Sequence, residues 1–135
     1  MNVRRSLAFV VALLVAVPLA AQQTPAQKAV EDAEFLKGAY LPGNGVQYPV
    51  LLRDSKPKYT SEAMREKLQG TVEVQAVVGV DGRVQRARII QSLDKVLGLD
   101  DAALAAAKAW LYKPGTKDGE PVPVVVSLML EFRLH

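Results

Sequence analysis

The chain has 135 residues with no cysteine, one histidine, and 17 basic against 14 acidic residues, for a net charge of +3. That length admits one modest domain. The missing cysteine excludes disulfides and a lipidated N-terminal Cys, and a lone histidine at the terminal position, His135, leaves no serine a triad partner.

Residues 1–21 open with Arg4 and Arg5, continue with an apolar run over residues 7–17, and break at Pro18 before Leu19-Ala20-Ala21. This is the layout of an export signal cut before Gln22. The run is shorter than the ~20 residues of a full membrane span. The alternative is an uncleaved signal anchor in the inner membrane. Two of the 17 basic residues, Arg4 and Arg5, lie in this segment; without them 15 face the 14 acidic ones, a net +1. So near-neutral a balance argues against a nucleic-acid or polybasic lipid-binding surface.

Residues 22–45 form a short helix and linker. Ala29, Val30, Ala33 and Leu36 give residues 26–37 an apolar stripe at helical spacing. Leu41-Pro42-Gly43-Asn44-Gly45 then breaks the chain into a loop. Fully extended, this stretch reaches about 80 Å.

The domain proper is expected over residues 46–135. Residues 46–53 suit a short strand, which Pro49 confines to an edge or to an isolated extended segment. A helix over residues 61–69 takes Thr60 or Ser61 as N-cap, buries Ala63, Met64 and Leu68, and stops at Gly70. Residues 71–80 alternate as a strand, with Val72, Val74, Ala76 and Val78 on one face. Asp81-Gly82 predicts a two-residue type I′ hairpin. Folding about it pairs Ala76 with Ala87, Val74 with Ile89, Gln75 with Arg88 and Val77 with Arg86. Val84 then falls opposite Gly79 on the outer face, with a bulge near Gly79.

A second helix follows, capped by Asp100 or Asp101, with Ala103, Leu104, Ala107, Trp110 and Leu111 on one face. Lys113-Pro114-Gly115 ends it, and Lys117-Asp118-Gly119 makes another turn. The last strand spans residues 122–134 with its even-numbered apolar residues on one face. The fold class is therefore α+β: a three-stranded antiparallel sheet, strands in spatial order 2-1-3, with two helices packed on one face. The last strand is an edge, where Pro121 and Pro123 are tolerated.

Residues 57–134 resemble the C-terminal domain of the TonB family of envelope energy transducers. The likeness rests on an ordered set. It begins with Pro57, Tyr59, Ala63, Gly70-Thr71-Val72, Asp81-Gly82 and Ser92. It continues with Ala103-Leu104, Trp110, Tyr112, Pro114, Gly119, Pro121, Val122, Val124 and Phe132. Thr60 departs from the family's usual Pro after the Tyr, and residues 22–45 hold only Pro25 and Pro42 where the family has a long Pro-rich spacer. The resemblance implies a periplasmic module that binds an outer-membrane TonB-dependent receptor, or another envelope protein, and passes force to it. Inner-membrane attachment follows only if residues 1–21 are retained.

The partner-binding candidates are Val122, Val124, Val125, Val126, Ser127, Leu128 and Met129 on the last strand, with Tyr59. A long apolar edge invites strand addition by a partner. The competing reading covers that edge with residues 46–53 or a second copy, giving a self-associating scaffold or homodimer. Arg83, Arg86 and Arg88 read as a solvated outer face or as contacts to acidic groups. Trp110 and Tyr112 read as core or as an aromatic platform. A ligand site on the sheet's outer face ranks last, for want of aromatics. No enzyme, cofactor or metal is expected, since the side chains for such chemistry are missing. On these expectations, Val126→Pro abolishes partner binding at little cost to folding.

Overall fold

A computed structural model describes residues 23–135. The export signal or anchor expected over residues 1–21 lies outside the described residues. Three helices and eight strands follow one another: α1 Pro25–Leu36, β1 Val46–Gln47, β2 Val50–Arg53, α2 Ser61–Arg65, β3 Gly70–Val78, β4 Val84–Gln91, α3 Leu99–Lys108, β5 Leu111–Lys113, β6 Thr116–Lys117, β7 Glu120–Pro121 and β8 Val124–Phe132.

The main sheet is antiparallel in the order β4-β3-β8, so the expected 2-1-3 arrangement stands. Val72, Val74, Ala76 and Val78 of β3 turn to the core with Leu128, Leu130 and Phe132 of β8. On that face, α3 contributes Leu99, Ala103, Ala106 and Ala107, and α2 contributes Ala63. The alanines lack bulk, which lets α3 lie close to the sheet.

The four expected β3–β4 pairs all form: Val74 with Ile89, Gln75 with Arg88, Ala76 with Ala87 and Val77 with Arg86. The bulge differs in place. Val78 pairs with Val84, so the extra residue is Gln85 and not Gly79, and Val84 returns to the core side. A second shift between Glu73 and Val74 leaves Ile90 without a partner in the ladder.

The hairpin differs as well. Gly79 N–H bonds the Arg83 carbonyl, Gly82 N–H bonds the Gly79 carbonyl, and only Gly82 has positive φ (81°). This is a three-residue loop ending on a left-handed glycine. The type I′ conformation appears instead at Asp118 (φ 51°) and Gly119 (φ 81°), between β6 and β7.

Both core helices are shorter than their sequence patterns. α2 stops at Arg65, and Met64 is 43% exposed. Its cap is Thr60, which accepts from Ala63 N–H and donates to the Leu97 carbonyl at 2.7 Å. α3 ends at Lys108; Trp110 and Leu111 lie beyond it, and Leu111 starts β5. Its N-cap is Gly98, which has no side chain to cap with, in place of Asp100 or Asp101. The capping role passes to Asp94, which accepts from the N–H groups of Val96, Leu97 and Leu99. Asp100 turns back to accept from Leu93 N–H, Asp94 N–H and the Ser92 hydroxyl.

Residues 46–53 split at Tyr48-Pro49 and leave the main edge alone. β1 pairs with β6, and β2 pairs with β5. The β2–β5 ribbon joins the main sheet where Tyr112 N–H bonds the Gly82 carbonyl at 2.9 Å. A Cβ on residue 82 would stand 1.8 Å from the Tyr112 oxygen.

Gly82→Ala should therefore cost more than about 2 kcal/mol, from left-handed strain plus the backbone clash, read as a lower urea midpoint. Burial alone would raise the Asp100 carboxyl, but its bonds from Asp94, Ser92 and Leu93 outweigh that and hold it below the usual carboxylate value. A depressed carboxylate stabilises above its unfolded pKa of about 4 and loses that stability as pH falls through the folded value. Asp100→Asn should cost about 1.5–3 kcal/mol near neutrality, and the gap to the unmodified chain should close in acid.

Candidate partner-binding edge

β3 and β8 pair over nine consecutive residues without a register shift, from Gly70 with Phe132 to Val78 with Val124. Alternation then sorts the strand by parity. Leu128, Leu130 and Phe132 are buried, and Ser127, Met129 and Glu131 are exposed. The backbone alternates as well. The Pro123 carbonyl and Val125 N–H point away from β3, because they bond Tyr40 N–H and the Tyr40 carbonyl at 2.8 and 2.9 Å. By the same alternation Ser127, Met129 and Glu131 direct their N–H and C=O groups to the free side. Among the described residues these groups have no backbone partner.

The expected site residues thus separate by where their polar groups point. Ser127 and Met129 present free edge groups. Val125 points the same way, but its N–H is taken by Tyr40. Val124, Val126 and Leu128 turn their backbone groups toward β3, and Val122, before the strand begins, bonds its N–H to the Gly115 carbonyl. Tyr59 is half-buried and lines the groove beside the end of β8; its hydroxyl donates to the Leu68 carbonyl, and its ring meets Phe132 edge-on at 5.4 Å. Glu131 was not singled out from sequence, although the parity of the strand marks it.

Two grooves flank the edge. One, of about 500 Å³, runs beside the end of β8 between Met129, Glu131 and Arg133 on one side and Ser55, Pro57 and Trp110 on the other. The Trp110 indole N–H donates to the Ser55 carbonyl at 2.9 Å, fixing that wall. The second, of about 550 Å³, lies beside Val125 and Ser127 and is walled by Leu41, Tyr48, Pro49 and Tyr112. Burial pushes the Tyr112 hydroxyl up to about 12, so it stays neutral at physiological pH. Tyr48, Leu41 and Met129 are more than 60% exposed. An apolar wall beside free backbone groups is what an extended peptide needs on both counts.

The arginines of β4 do not form a solvated face. Arg88 binds Gln75 Oε1 through two nitrogens, reaches Asp32 of α1 at 2.7 Å, and stacks over the Phe35 ring at 4.3 Å. Arg86 donates to the Lys37 carbonyl at 2.9 Å. These contacts dock α1 on the sheet's outer face, although no residue of α1 is fully buried. That placement covers the face considered for a ligand site.

Among the described residues no cluster of potential metal ligands occurs, and no helix is long and apolar enough to cross a membrane.

The family model of the Gram-negative bacterial TonB protein C-terminal domain matches residues 55–134. The solution NMR structure of the Pseudomonas aeruginosa TonB C-terminal domain is similar at 20% identity, over 70% of this chain and 93% of that one, with a TM-score of 0.47. No curated protein matches the chain. α1, Tyr40, β1 and β2 precede the matched region.

Arg88→Ala should release α1 and with it the Tyr40 contact. Amide exchange should rise over α1 and at Val125, while Val72 and Val74 stay protected.

Proposed function

Because the chain belongs to the family of Gram-negative bacterial TonB protein C-terminal domains, non-enzymatic interaction domains of the cell envelope, we propose that it binds a periplasm-facing segment of an outer-membrane transporter by strand addition to β8. The observation that carries this reading is the contrast between the two sheet edges. β4 is interrupted by two register shifts, which break up an edge. β8 is regular over nine residues and keeps free groups at Ser127, Met129 and Glu131. Its flanking grooves would hold the side chains of the added strand.

Val126→Pro, attractive from sequence alone, is the wrong test. Val126 sits opposite Ala76 with its N–H toward β3, so proline there breaks the ladder itself. Ser127→Pro removes an outward N–H and spares the ladder. In titrations with synthetic periplasmic segments of transporters from the same bacterium, Ser127→Pro should weaken binding about tenfold or more with its folded NMR spectrum retained. Undiminished binding by that variant would sink the edge model.

Energy coupling depends on residues 1–21. A full-length mass in the inner-membrane fraction supports an anchored transducer in energy-coupled transport. A mass lacking residues 1–21 supports a free periplasmic adaptor. Self-association through the same edge is the second use open to it, and a monomer whose sedimentation is independent of concentration rules that out.

A further inference from the structure

The start of the β8 edge already carries a piece of this same chain. Tyr40 lies parallel to β8, opposite Val124. Its N–H bonds the Pro123 carbonyl at 2.8 Å, and its carbonyl accepts from Val125 N–H at 2.9 Å. In a parallel ladder the next bonds would run from the N–H of residue 42 to the Val125 carbonyl, and from Ser127 N–H to the carbonyl of residue 42. Residue 42 is proline, which has no N–H to give. Gly43, Asn44 and Gly45 then take positive φ (104°, 53° and 85°), and the chain turns away into β1. The pairing therefore ends at Tyr40, and Pro42 is the residue that ends it.

What holds this segment down is weak and lies at its other end. α1 is docked by Arg88, which reaches Asp32 and the Phe35 ring, and by Arg86, which donates to the Lys37 carbonyl. Polar contacts at half-exposed groups contribute little each. Arg86 Nε is buried with no partner among the described residues, which offsets part of the gain. No residue of α1 is fully buried. The nine β3–β8 pairs over the apolar core resist opening far more strongly. Residues 25–42 also precede the family-matched region 55–134, so the segment is an addition of this chain to the domain.

We propose that residues 25–42 form a displaceable strap that competes with the partner strand for β8. The proposal rests on strand addition at β8. Docked, the strap confines the open edge to Ser127, Met129 and Glu131. Leu41 and Pro42 then help to wall the groove beside Ser127, so a short partner strand gains from the strap. A partner strand that reaches Val125 and Pro123 must displace it. The affinity of such a strand falls in proportion to the fraction of chains whose strap is open. The strap thus selects partners by length, and it ties the edge to whatever holds or pulls α1.

The test uses the full chain with two variants. Tyr40→Pro removes the donor to the Pro123 carbonyl, and Asp32→Ala loosens α1 without altering the sheet. The first readout needs no partner. Amide exchange at Val125 should keep pace with α1 and run far ahead of Val74. In either variant it should rise about fivefold or more, with Val74 unchanged. A Val125 amide as slow as Val74, or one that neither variant moves, overturns the proposal. The second readout is an NMR titration with a synthetic periplasmic segment of a transporter from the same bacterium. The segment is cut to about four residues or kept at about nine, enough to span β8. Both variants should bind the long segment about fivefold more tightly and the short one no more tightly. In the unmodified chain the long segment should speed exchange across α1, and the short one should not. Equal gain for both lengths, or no gain for the long one, overturns the strap and leaves strand addition standing. Failure of both lengths to bind the chain or its variants removes strand addition, and the strap's role with it.

Discussion

The rest of the structure depends on the unbroken pairing of β3 with β8. β3 is hydrogen-bonded on both sides, and its even-numbered side chains are fully buried. A strand so placed cannot slip by one residue without moving every valine to the wrong face. Its register therefore fixes that of β8, and the register of β8 fixes which backbone groups face outward. Core and candidate edge are two faces of one alternation. Leu128, Leu130 and Phe132 hold the strand down, while Ser127, Met129 and Glu131 between them stay free.

The second constraint is the approach of Tyr112 to Gly82. The left-handed glycine is required twice, by its own φ and by the Tyr112 carbonyl lying where a Cβ would be. That contact attaches the β2–β5 ribbon, which stands outside the main sheet. It thereby sets the Trp110 wall beside β8. The DG dipeptide thus serves the partner surface as well as the turn.

What the sequence made legible follows from periodicity. The central hairpin pairs and the parity of the last strand come from alternation over long stretches, where many residues agree, and the sheet order from the crossover connection and the edge prolines Pro121 and Pro123. What it hid were short-range choices with near-equal alternatives. Asp81-Gly82 and Asp118-Gly119 look alike, yet only the second adopts the type I′ turn, because the first must also meet Tyr112. Trp110 and Leu111 fit the helical stripe of α3, but Leu111 gains β2 as a neighbour by leaving it. The bulge fell at Gln85, which brings Val84 back to the core. The docking of α1 was invisible because it depends on Arg88 meeting Asp32 and Gln75, a contact far apart in sequence with no periodic trace. Tyr40 was missed for the same reason.

Tyr40 also bears on how much of the β8 edge a partner can use. Its two hydrogen bonds close the strand at Pro123 and Val125, leaving the stretch from Ser127 onward. The segment that carries it is held by polar contacts to half-exposed groups, since α1 has no fully buried residue. Contacts of that kind contribute about 1 kcal/mol each, far less than the apolar core beneath β3. The Tyr40 segment therefore belongs to the part of the molecule that opens most readily, and the β3–β8 ladder to the part that opens least. A short partner strand pairs beyond Tyr40 and leaves it in place. A longer one must replace two Tyr40 hydrogen bonds with two of its own, an exchange close to neutral in bonds and opposed only by the weak docking of α1.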